Sequence, residues 1–337
     1  MCNKSLPASP EKIRAIAEKY GTPFHLYDEK GMKENARRFL DAFAWAPHFK
    51  EYFAVKALPN PYIMKSLAEL GIGADCSSLP ELILSEKVGL RGQDICFTSN
   101  DTPAQEFVKA RELGAVINLD DITHIEFLEQ AAGLPELLSF RYNPGASREG
   151  GNVIIGLPQE AKYGLTHSQL LEAIRIAQSK GVKRFGLHTM IVSNELNINY
   201  LVGTAEMMFK LAVEVKDKLG VAVEFINFGG GIGIPYRLED DPVDFAALSA
   251  GIKAHYEQIL LPAGLGETCL CFESGRMISG PYGYLVAKAI HRKDTYKHYI
   301  GLDACMADLM RPALYGAYHY MSVLGKEGQP SDHIYDV

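Results

Sequence analysis

The sequence has no cluster of basic residues and no long apolar run. Of its 337 residues, 34 are Lys or Arg and 41 are Asp or Glu, so the formal net charge is -7. A chain of this charge without a basic patch is not expected to bind nucleic acid or an anionic membrane. No run of about 18 apolar residues is present, as a spanning helix requires, and the N-terminal residues do not resemble a signal peptide. We therefore expect a cytoplasmic globular protein.

The cysteines show neither a CxxC pair nor the spacing of a metal site. Cys269 and Cys271 alternate in a strand-like run, so they would share one face. Disulfides and a metal centre are therefore not expected, and the pattern favours buried free thiols in a reducing compartment. The six cysteines are Cys2, Cys76, Cys96, Cys269, Cys271 and Cys305.

Short β-branched or aromatic runs alternate with helix-patterned segments along most of the chain. This alternation predicts a parallel sheet, because each crossover between parallel strands needs a covering helix. Eight such units fit a closed (β/α)₈ barrel of the TIM type. A doubly wound open sheet is the alternative, since periodicity does not establish closure. The predicted strands are Glu51–Val55, Ile72–Cys76, Asp94–Phe97, Ala115–Leu119, Leu138–Tyr142, Arg184–Ile191, Val223–Phe228 and Cys269–Glu273.

The helical segment after the seventh strand has a clear apolar stripe. Its apolar residues step by three or four, which places them on one helix face that can pack on a sheet. They are Phe245, Leu248, Ile252, Tyr256 and Ile259.

Beyond the eighth strand the pattern changes. Tyr282–Ile290 and Lys297–Leu302 resemble strands with no helix between them, which predicts a second, β-rich domain. The early strand Pro23–Tyr27 could join its sheet. The predicted domains are a barrel of residues 29–280 and a β-rich domain of residues 1–28 plus 281–337.

Polar groups and bare backbone follow the predicted strands at one end. In a β/α barrel the chemistry lies at the carboxyl ends of the strands, so the sequence predicts a site at this rim. The groups are Lys56, Asp75, Arg141, Asn143, His188, Met190, Ser193, Gly229–Gly231, Glu273 and Arg276.

Lys56 ends the first predicted strand and has apolar neighbours on both sides. A lysine at a strand end is commonly a solvated surface group. Here the neighbours favour partial burial, which would lower the pKa of Lys56 and free its nitrogen to form a Schiff base with an aldehyde.

Gly229–Gly231 directly follow the seventh predicted strand. Without side chains, their backbone N–H groups can approach an anion closely, and phosphate sites in barrels often lie after strands seven and eight. Arg276 would add a fixed cation for a phosphate or carboxylate. The alternative is a flexible turn.

Glu273 ends the eighth strand, where a buried carboxylate needs a partner. A pyridinium N–H is one such partner, because the carboxylate would keep that nitrogen protonated and the ring able to accept electrons. A salt bridge to a barrel lysine or arginine is the alternative.

Together these motifs resemble the diaminopimelate decarboxylases, within the barrel-type decarboxylases that use pyridoxal 5'-phosphate (PLP). The resemblance covers nearly the whole chain and implies a TIM-like barrel followed by an alanine-racemase-like β-rich domain. The last of the stretches below is typical of the diaminopimelate branch. The matching stretches are Phe53-Ala-Val-Lys-Ala57, Gly73-Ala-Asp-Cys-Ser-Ser78, Arg141-Tyr-Asn-Pro144, Ala161-Lys-Tyr-Gly-Leu165, Asn227-Phe-Gly-Gly-Gly231, Glu273-Ser-Gly-Arg276 and Arg311-Pro-Ala-Leu-Tyr315.

The resemblance implies a role for each matching residue. Lys56 would bond the PLP aldehyde, Glu273 would face the pyridine nitrogen, and His188 would be a catalytic or a structural histidine. Arg276, Arg311 and Tyr315 would bind substrate carboxylate. The other residues implied at the cofactor are Asp75, Met190, Ser193, Gly229, Gly230, Gly231, Gly275 and Arg276.

The sequence also departs from the family pattern. Met190 takes the place of the histidine that stacks on the cofactor in the usual His-x-His-x-Gly-Ser run, and Leu79-Pro80 and Cys305 are further differences. The family continues past the Tyr-Asp-Val motif into a Cys-Glu element and a later tyrosine, whereas this sequence ends at Val337. We expect either a fragment or a natural truncation, with an incomplete β-rich domain.

The function implied is decarboxylation of meso-2,6-diaminopimelate to L-lysine, in lysine biosynthesis, by a homodimer with its site at the interface. The alternatives are a decarboxylase of another diamino acid, of the ornithine, arginine or carboxynorspermidine type, and an inactive PLP-binding regulator. An amino-acid racemase on the same fold is disfavoured by the match at Arg311–Tyr315.

Overall fold

The computed structural model describes residues 6–147, 157–326, 328–330 and 332–337. Strands and helices alternate through most of this part of the chain. The strands are β1 (Phe24–Tyr27), β2 (Lys50–Ala54), β3 (Gly73–Cys76), β4 (Ile95–Ser99), β5 (Val116–Leu119), β6 (Leu137–Arg141), β7 (Arg184–His188), β8 (Phe225–Asn227), β9 (Cys269–Phe272), β10 (Gly283–Val286), β11 (Ala289–Asp294) and β12 (His298–Leu302). The helices are α1 (Pro10–Tyr20), α2 (Glu29–Ala42), α3 (Pro61–Ala68), α4 (Leu79–Lys87), α5 (Ala104–Leu113), α6 (His124–Ala132), α7 (His167–Ser179), α8 (Ile198–Leu219), α9 (Phe245–His255), α10 (Arg276–Ser279) and α11 (Arg311–Tyr315).

The chain forms two compact units. The barrel unit comprises Met32–Ile234 and Val243–Pro281, and the β unit comprises the residues up to Gly31, Pro235–Pro242 and Tyr282–Val337. The domain boundaries derived from the sequence, 29–280 against 1–28 plus 281–337, stay a prediction. The strand pattern gave no sign that 235–242 would group with the β unit.

Strands β2 to β9 form a closed parallel barrel. Closure is made by β2 and β9, where Lys50 pairs with Cys271 and Glu51 with Phe272. Since β9 is the last strand of the series and β2 the first, the sheet has no free edge. The predicted (β/α)₈ barrel is thereby confirmed, and the alternative of an open doubly wound sheet is wrong.

Aromatic rings fill the layer between the barrel and its helices around α2. The ring centroid of Phe39 lies 5.2 Å from that of Phe43, 5.1 Å from Phe245 and 5.5 Å from Phe272. These contacts join α2, α9 and β9, and Phe39 is fully buried. Packed aromatic rings of this kind contribute both buried area and favourable edge-to-face geometry.

The apolar stripe predicted after β8 is present but shifts at its end. Leu248, Ile252 and Tyr256 are buried. Residues Tyr256–Leu260 then form a turn of π-helix, which adds a residue to the turn. Leu260 is therefore buried instead of Ile259.

The β unit contains two antiparallel pairs. β1 pairs with β10, as the sequence suggested for the early strand, and β11 pairs with β12. The single strand predicted over 282–290 is wrong, because it is split into β10 and β11 with different partners. At the break, the Lys288 N–H donates to the Asp303 carboxylate at 2.7 Å instead of continuing the first ladder.

The described cysteines are free, and not all of them are buried. Cys76, Cys96 and Cys271 are buried, whereas Cys269 is half-buried and Cys305 is exposed. The expectation of a buried thiol is therefore wrong for Cys305, which lies in the irregular segment after β12. Cys2 lies outside the described residues. Within the described ranges, no helix combines the length and apolarity needed to cross a membrane.

Candidate active site

Lys56 lies in a short 3₁₀ turn directly after β2. Its Nζ is 3.0 Å from Asp75 Oδ2 and 3.4 Å from Ser77 Oγ. The side chain is 59% exposed. The negative charge of Asp75, reinforced by that of Glu273, raises the pKa of Lys56. Burial acts in the predicted direction but is outweighed by these charges. The predicted net lowering of the Lys56 pKa is therefore wrong, because the side chain extends from its apolar strand to reach a carboxylate.

Asp75 lies on β3, beside Lys56. The parallel register pairs Ala54 with Asp75, so the carboxylate is one strand away from the lysine turn. Burial and the nearby charge of Glu273 raise the pKa of Asp75 to about 6, although Lys56 acts in the opposite direction. Asp75 can therefore change its protonation state near neutral pH.

Glu273 follows β9 and is bonded by three side chains. Its Oε2 lies 3.0 Å from His188 Nε2, and its Oε1 accepts hydrogen bonds from Asn227 Nδ2 at 2.8 Å and Cys96 Sγ at 3.4 Å. Burial by itself would raise the pKa of Glu273, but the charge and hydrogen bond of His188, together with Lys56, lower it to about 2. Glu273 is therefore a carboxylate at neutral pH. The side chain within hydrogen-bond distance of Oε2 is a histidine, not the lysine or arginine of the alternative interpretation.

His188 ends β7 and is buried. While Nε2 faces Glu273, Nδ1 has no hydrogen-bond partner among the described residues. A buried ring nitrogen without a partner costs free energy unless another group occupies the space beside it. His188 thus directs one nitrogen at the glutamate and leaves the other unsatisfied.

Asn227 and Cys96 are contacts of Glu273 that the sequence reasoning missed. Asn227 ends β8 and donates to Glu273, while its Oδ1 accepts the Gly229 N–H at 2.9 Å. Its place directly before the glycine run was the available signal. Cys96 gave none, because it stands within an ordinary apolar strand.

The backbone of Gly229–Gly231 packs directly against three carbonyl oxygens. A Cβ on Gly229, Gly230 or Gly231 would overlap with the carbonyl oxygen of Thr189, Glu273 or Val192, respectively. Gly229 and Gly231 also have φ of +70° and +92°, a region that residues with a side chain rarely adopt. These glycines are therefore required by the local structure, and their contact with an anion stays a prediction.

Met190 and Ser193 lie in the loop after β7. The predicted strand over Arg184–Ile191 ends at His188. Met190 Sδ accepts the Gly230 N–H at 3.1 Å, so the thioether contacts the glycine run. Ser193 Oγ lies 3.4 Å from Arg276 Nη2. The loop thus meets both the glycine run and the residues after β9.

Gly275 immediately precedes α10, and Arg276 is the first residue of that helix. A Cβ on Gly275 would lie 2.7 Å from Ala57 Cβ and 3.0 Å from Ala54 Cβ, so the glycine allows the start of α10 to pack against the lysine turn. Arg276, next in the chain, extends to Ser193.

Arg311 and Tyr315 lie in the β unit, on α11. The Arg311 guanidinium stacks over the Tyr236 ring, 4.7 Å from its centroid, and its Nη1 is 3.3 Å from His319 Nε2. Tyr315 is 46% exposed. Their proximity to the barrel residues stays a prediction.

The residues that the barrel unit brings together suit a phosphorylated pyridine aldehyde. Lys56 supplies an amine, and Glu273 supplies a carboxylate that stays ionised. His188 supplies a buried Nδ1 that has no hydrogen-bond partner among the described residues. The glycine run supplies backbone without side chains, and Arg276 a cation. This combination on a (β/α)₈ barrel defines the class of barrel enzymes that use PLP.

Comparison with known proteins identifies the family. The model described as "Pyridoxal-dependent decarboxylase, pyridoxal binding domain" matches residues 29–280. The chain belongs to this family of PLP-dependent amino-acid decarboxylases, which are lyases, and its cofactor is PLP.

Individual relatives cover most of the chain. Protein TabA of Pseudomonas amygdali pv. tabaci is 39% identical over 326 residues, which are 96% of this chain and 74% of that protein. The diaminopimelate decarboxylase of Methanothermobacter thermautotrophicus is 33% identical over 311 residues, 91% of this chain and 72% of that protein. These matches confirm the family resemblance.

Solved structures of diaminopimelate decarboxylases also resemble this chain. Diaminopimelate decarboxylase from Helicobacter pylori, complexed with L-lysine, is 28% identical and superposes with a TM-score of 0.83, over 91% of this chain and 77% of that one. The enzyme from M. jannaschii in complex with L-lysine is 29% identical with a TM-score of 0.81, over 91% of this chain and 73% of that one.

Proposed function

We propose that this protein decarboxylates meso-2,6-diaminopimelate to L-lysine. The observation that carries the proposal is that two diaminopimelate decarboxylases of the same fold, each 28% or 29% identical to this chain, hold L-lysine in their structures. L-Lysine is what remains when diaminopimelate loses one carboxylate as CO₂. The relative with 39% identity, Protein TabA, has a name that states no substrate, so other diamino acids must be tested.

Lys56 is proposed to hold the cofactor through its amine. Asp75 is proposed to hydrogen-bond that amine. The Lys56 nitrogen must lose a proton before it can bond a carbonyl carbon. Asp75 Oδ2, at 3.0 Å, is an acceptor within reach of that proton. Because the charge of Asp75 also raises the pKa of Lys56, the two groups form an ammonium–carboxylate pair before the cofactor binds.

Glu273 is proposed to accept the pyridine N–H. PLP supplies the electron sink that makes loss of CO₂ from an amino acid possible, provided that its ring nitrogen stays protonated. Because His188 and Lys56 keep Glu273 ionised and Asn227 donates a hydrogen bond that orients it, the carboxylate can stabilise that proton. His188 is thus a positioning residue in this proposal.

The remaining residues are proposed to hold the phosphate and the substrate. Gly229–Gly231, Gly275, Ser193 and Arg276 would surround the phosphate, and the Met190 thioether would pack on the ring face. Arg276, Arg311 and Tyr315 would bind substrate carboxylates. A homodimer with its site at the interface is part of the proposal.

The test is turnover by the PLP-loaded full chain. Meso-diaminopimelate, ornithine, arginine and carboxynorspermidine are supplied separately, and CO₂ and the amine product are measured. We expect CO₂ and L-lysine from meso-diaminopimelate, and no product from the Lys56→Ala variant. If another of these compounds were decarboxylated faster than meso-diaminopimelate, that compound would become the proposed substrate.

A second measurement separates an inactive protein from an unloaded one. Borohydride reduction followed by peptide mass spectrometry should find the pyridoxyl label on Lys56. A protein labelled there that releases no CO₂ from any of these substrates would favour the PLP-binding regulator. Sedimentation at several concentrations would test the dimer.

A further inference from the structure

Asn194 holds an unusual backbone conformation beside the proposed phosphate site. Its φ is +59°, which asparagine tolerates better than other residues with a side chain. Its side-chain amide makes two hydrogen bonds to one backbone position: the Ile234 N–H donates to Oδ1 at 3.0 Å, and Nδ2 donates to the Ile234 carbonyl at 3.4 Å. A single residue thus both turns the chain and binds the backbone of a second loop.

The loops joined by Asn194 are those that carry the proposed phosphate contacts. We call residues 189–195 the serine loop and residues 229–234 the glycine loop. Backbone hydrogen bonds extend the contact: the Glu195 N–H donates to the Gly231 carbonyl and the Gly233 N–H to the Glu195 carbonyl, each at 2.8 Å. The two loops therefore run together as a short parallel ribbon.

The ribbon determines where Ser193 lies relative to the glycine run. Ser193 immediately precedes Asn194, and Gly231 is at the other side of the ribbon. A Cβ on Gly233 would lie 2.8 Å from the Asn194 carbonyl carbon, so the loops are already at their closest approach. If the Asn194 side chain were removed, the loops would keep the backbone contacts of the ribbon and the hydrogen bond from the Gly230 N–H to Met190 Sδ, but both side-chain hydrogen bonds next to Ser193 would be lost. Ser193 would then be less well positioned.

We propose that Asn194 is a positioning residue for the cofactor phosphate: its amide ties the serine loop to the glycine loop so that both face the phosphate together. The inference rests on the proposed cofactor site. It concerns the phosphate in particular, because the hydrogen bonds described for Asn194 do not involve the side chain of Lys56 or Glu273. The Glu273 backbone N–H does reach the glycine loop, where it donates to the Gly229 carbonyl at 2.9 Å.

The test compares PLP with pyridoxal, which has the same aldehyde and ring but no phosphate. Binding to the whole 337-residue chain is measured by absorbance titration, with borohydride trapping on Lys56. Asn194→Gly keeps the positive φ and loses both side-chain hydrogen bonds. We expect it to weaken PLP binding by about tenfold, the size expected from one or two hydrogen bonds, and to leave pyridoxal binding within about twofold.

Two further variants make the result specific. Asn194→Asp keeps the acceptor for the Ile234 N–H but adds a negative charge beside the proposed phosphate site, so it should weaken PLP binding and leave pyridoxal binding within about twofold. Asn197→Ala removes a neighbouring asparagine that caps α8 through the Asn199 N–H, and it should leave both affinities unchanged.

Two results would overturn the inference. One is an equal loss of PLP and pyridoxal binding in Asn194→Gly, which would indicate a general structural role. The other is unchanged PLP affinity in both Asn194 variants. A wild-type protein that fails to bind PLP at Lys56 would instead overturn the proposed function, and the inference with it.

Discussion

Glu51 is a carboxylic acid buried in the wall of the barrel, on β2, the strand that precedes the turn of the proposed cofactor lysine. Its Oε1 accepts the Ser274 N–H at 2.8 Å, whereas Oε2 has no hydrogen-bond partner in the described part of the chain. Burial raises the pKa of Glu51 to about 8; the hydrogen bond from Ser274 opposes this shift, and the charges of Glu273 and Asp75 add to it. At neutral pH Glu51 is therefore mainly protonated.

This residue should make the folded state less stable as the pH rises. An unfolded glutamate releases its proton near pH 4.5, whereas folded Glu51 keeps it up to about pH 8. Between these values the folded state binds more protons than the unfolded state, so stability falls through this window and is constant above it.

Glu51→Gln keeps the Oε1 acceptor and carries no charge. We expect it to stabilise the protein by a few kcal/mol at pH 9, on the order of 1.4 kcal/mol per unit of pKa shift, and much less at pH 5.

The measurement is urea unfolding of wild type and Glu51→Gln at pH 5, 7 and 9. Glu126→Gln, on the exposed side of α6, is the matched control and should show no such trend. A difference between wild type and Glu51→Gln that stays the same at all three pH values would contradict the expectation.

At the scale of single residues, the sequence predicts which residues belong to the site better than it predicts their pKa shifts. Lys56, Glu273 and the glycine run could be found because each follows a strand at the same end of the barrel. The direction of the Lys56 pKa shift could not, since it depends on Asp75, which only the register of β2 and β3 places beside the amine. Asn194 was missed for a similar reason, because its partner Ile234 lies on another loop.

Gly231 illustrates how one element constrains another. It has a φ of +92°, and a Cβ there would overlap with the Val192 carbonyl oxygen, so the glycine loop and the serine loop can meet only if this residue has no side chain. Gly89 has nearly the same φ, +93°, but nothing lies within 4 Å of a Cβ built on it. A comparison of substitutions at the two positions therefore distinguishes the effect of backbone strain from the effect of steric overlap.

We expect Gly231→Ala to destabilise the protein more than Gly89→Ala does. Both variants carry the cost of a positive φ, about 1 to 2 kcal/mol, but only Gly231→Ala must also displace Val192. PLP titration should show weakened binding in Gly231→Ala and wild-type binding in Gly89→Ala. Equal unfolding free energies and equal PLP affinities in the two variants would show that the close contact has no effect.

Most elements of the barrel could be predicted because strand and helix periods differ and alternate regularly. The errors come from interactions with other elements. The split of 282–290 into β10 and β11 depends on two separate partner strands, and the π-helical turn at Tyr256–Leu260 changes which residue faces the core without altering the local composition. Neither feature has a signature in a short window of sequence.

At the scale of the whole molecule, the proposed cofactor contacts all belong to the barrel unit, and so does the single tryptophan. Trp45 follows α2, and its indole N–H donates to Ser249 Oγ on α9 at 2.7 Å. The ring also lies 5.3 Å from that of Tyr256. Since the sequence contains one Trp, its fluorescence reports the unfolding of the barrel unit, whereas circular dichroism reports both units.

PLP should therefore shift the fluorescence transition of the barrel unit. A ligand that binds only the folded state at 100 times its Kd adds about 2.7 kcal/mol to the unfolding free energy. We expect the urea midpoint followed by Trp45 to rise by the corresponding amount when PLP is added. In Lys56→Ala, at the same PLP concentration, the rise should be much smaller, because the covalent bond to the amine is lost.

Pyridoxal at the same concentration serves as the control for the phosphate contacts and should stabilise less than PLP. If PLP bound Lys56, as shown by borohydride trapping, but left the Trp45 transition unchanged, then the cofactor would not be held by the folded barrel, and the assignment of its contacts to Glu273, Arg276 and the glycine loop would be wrong.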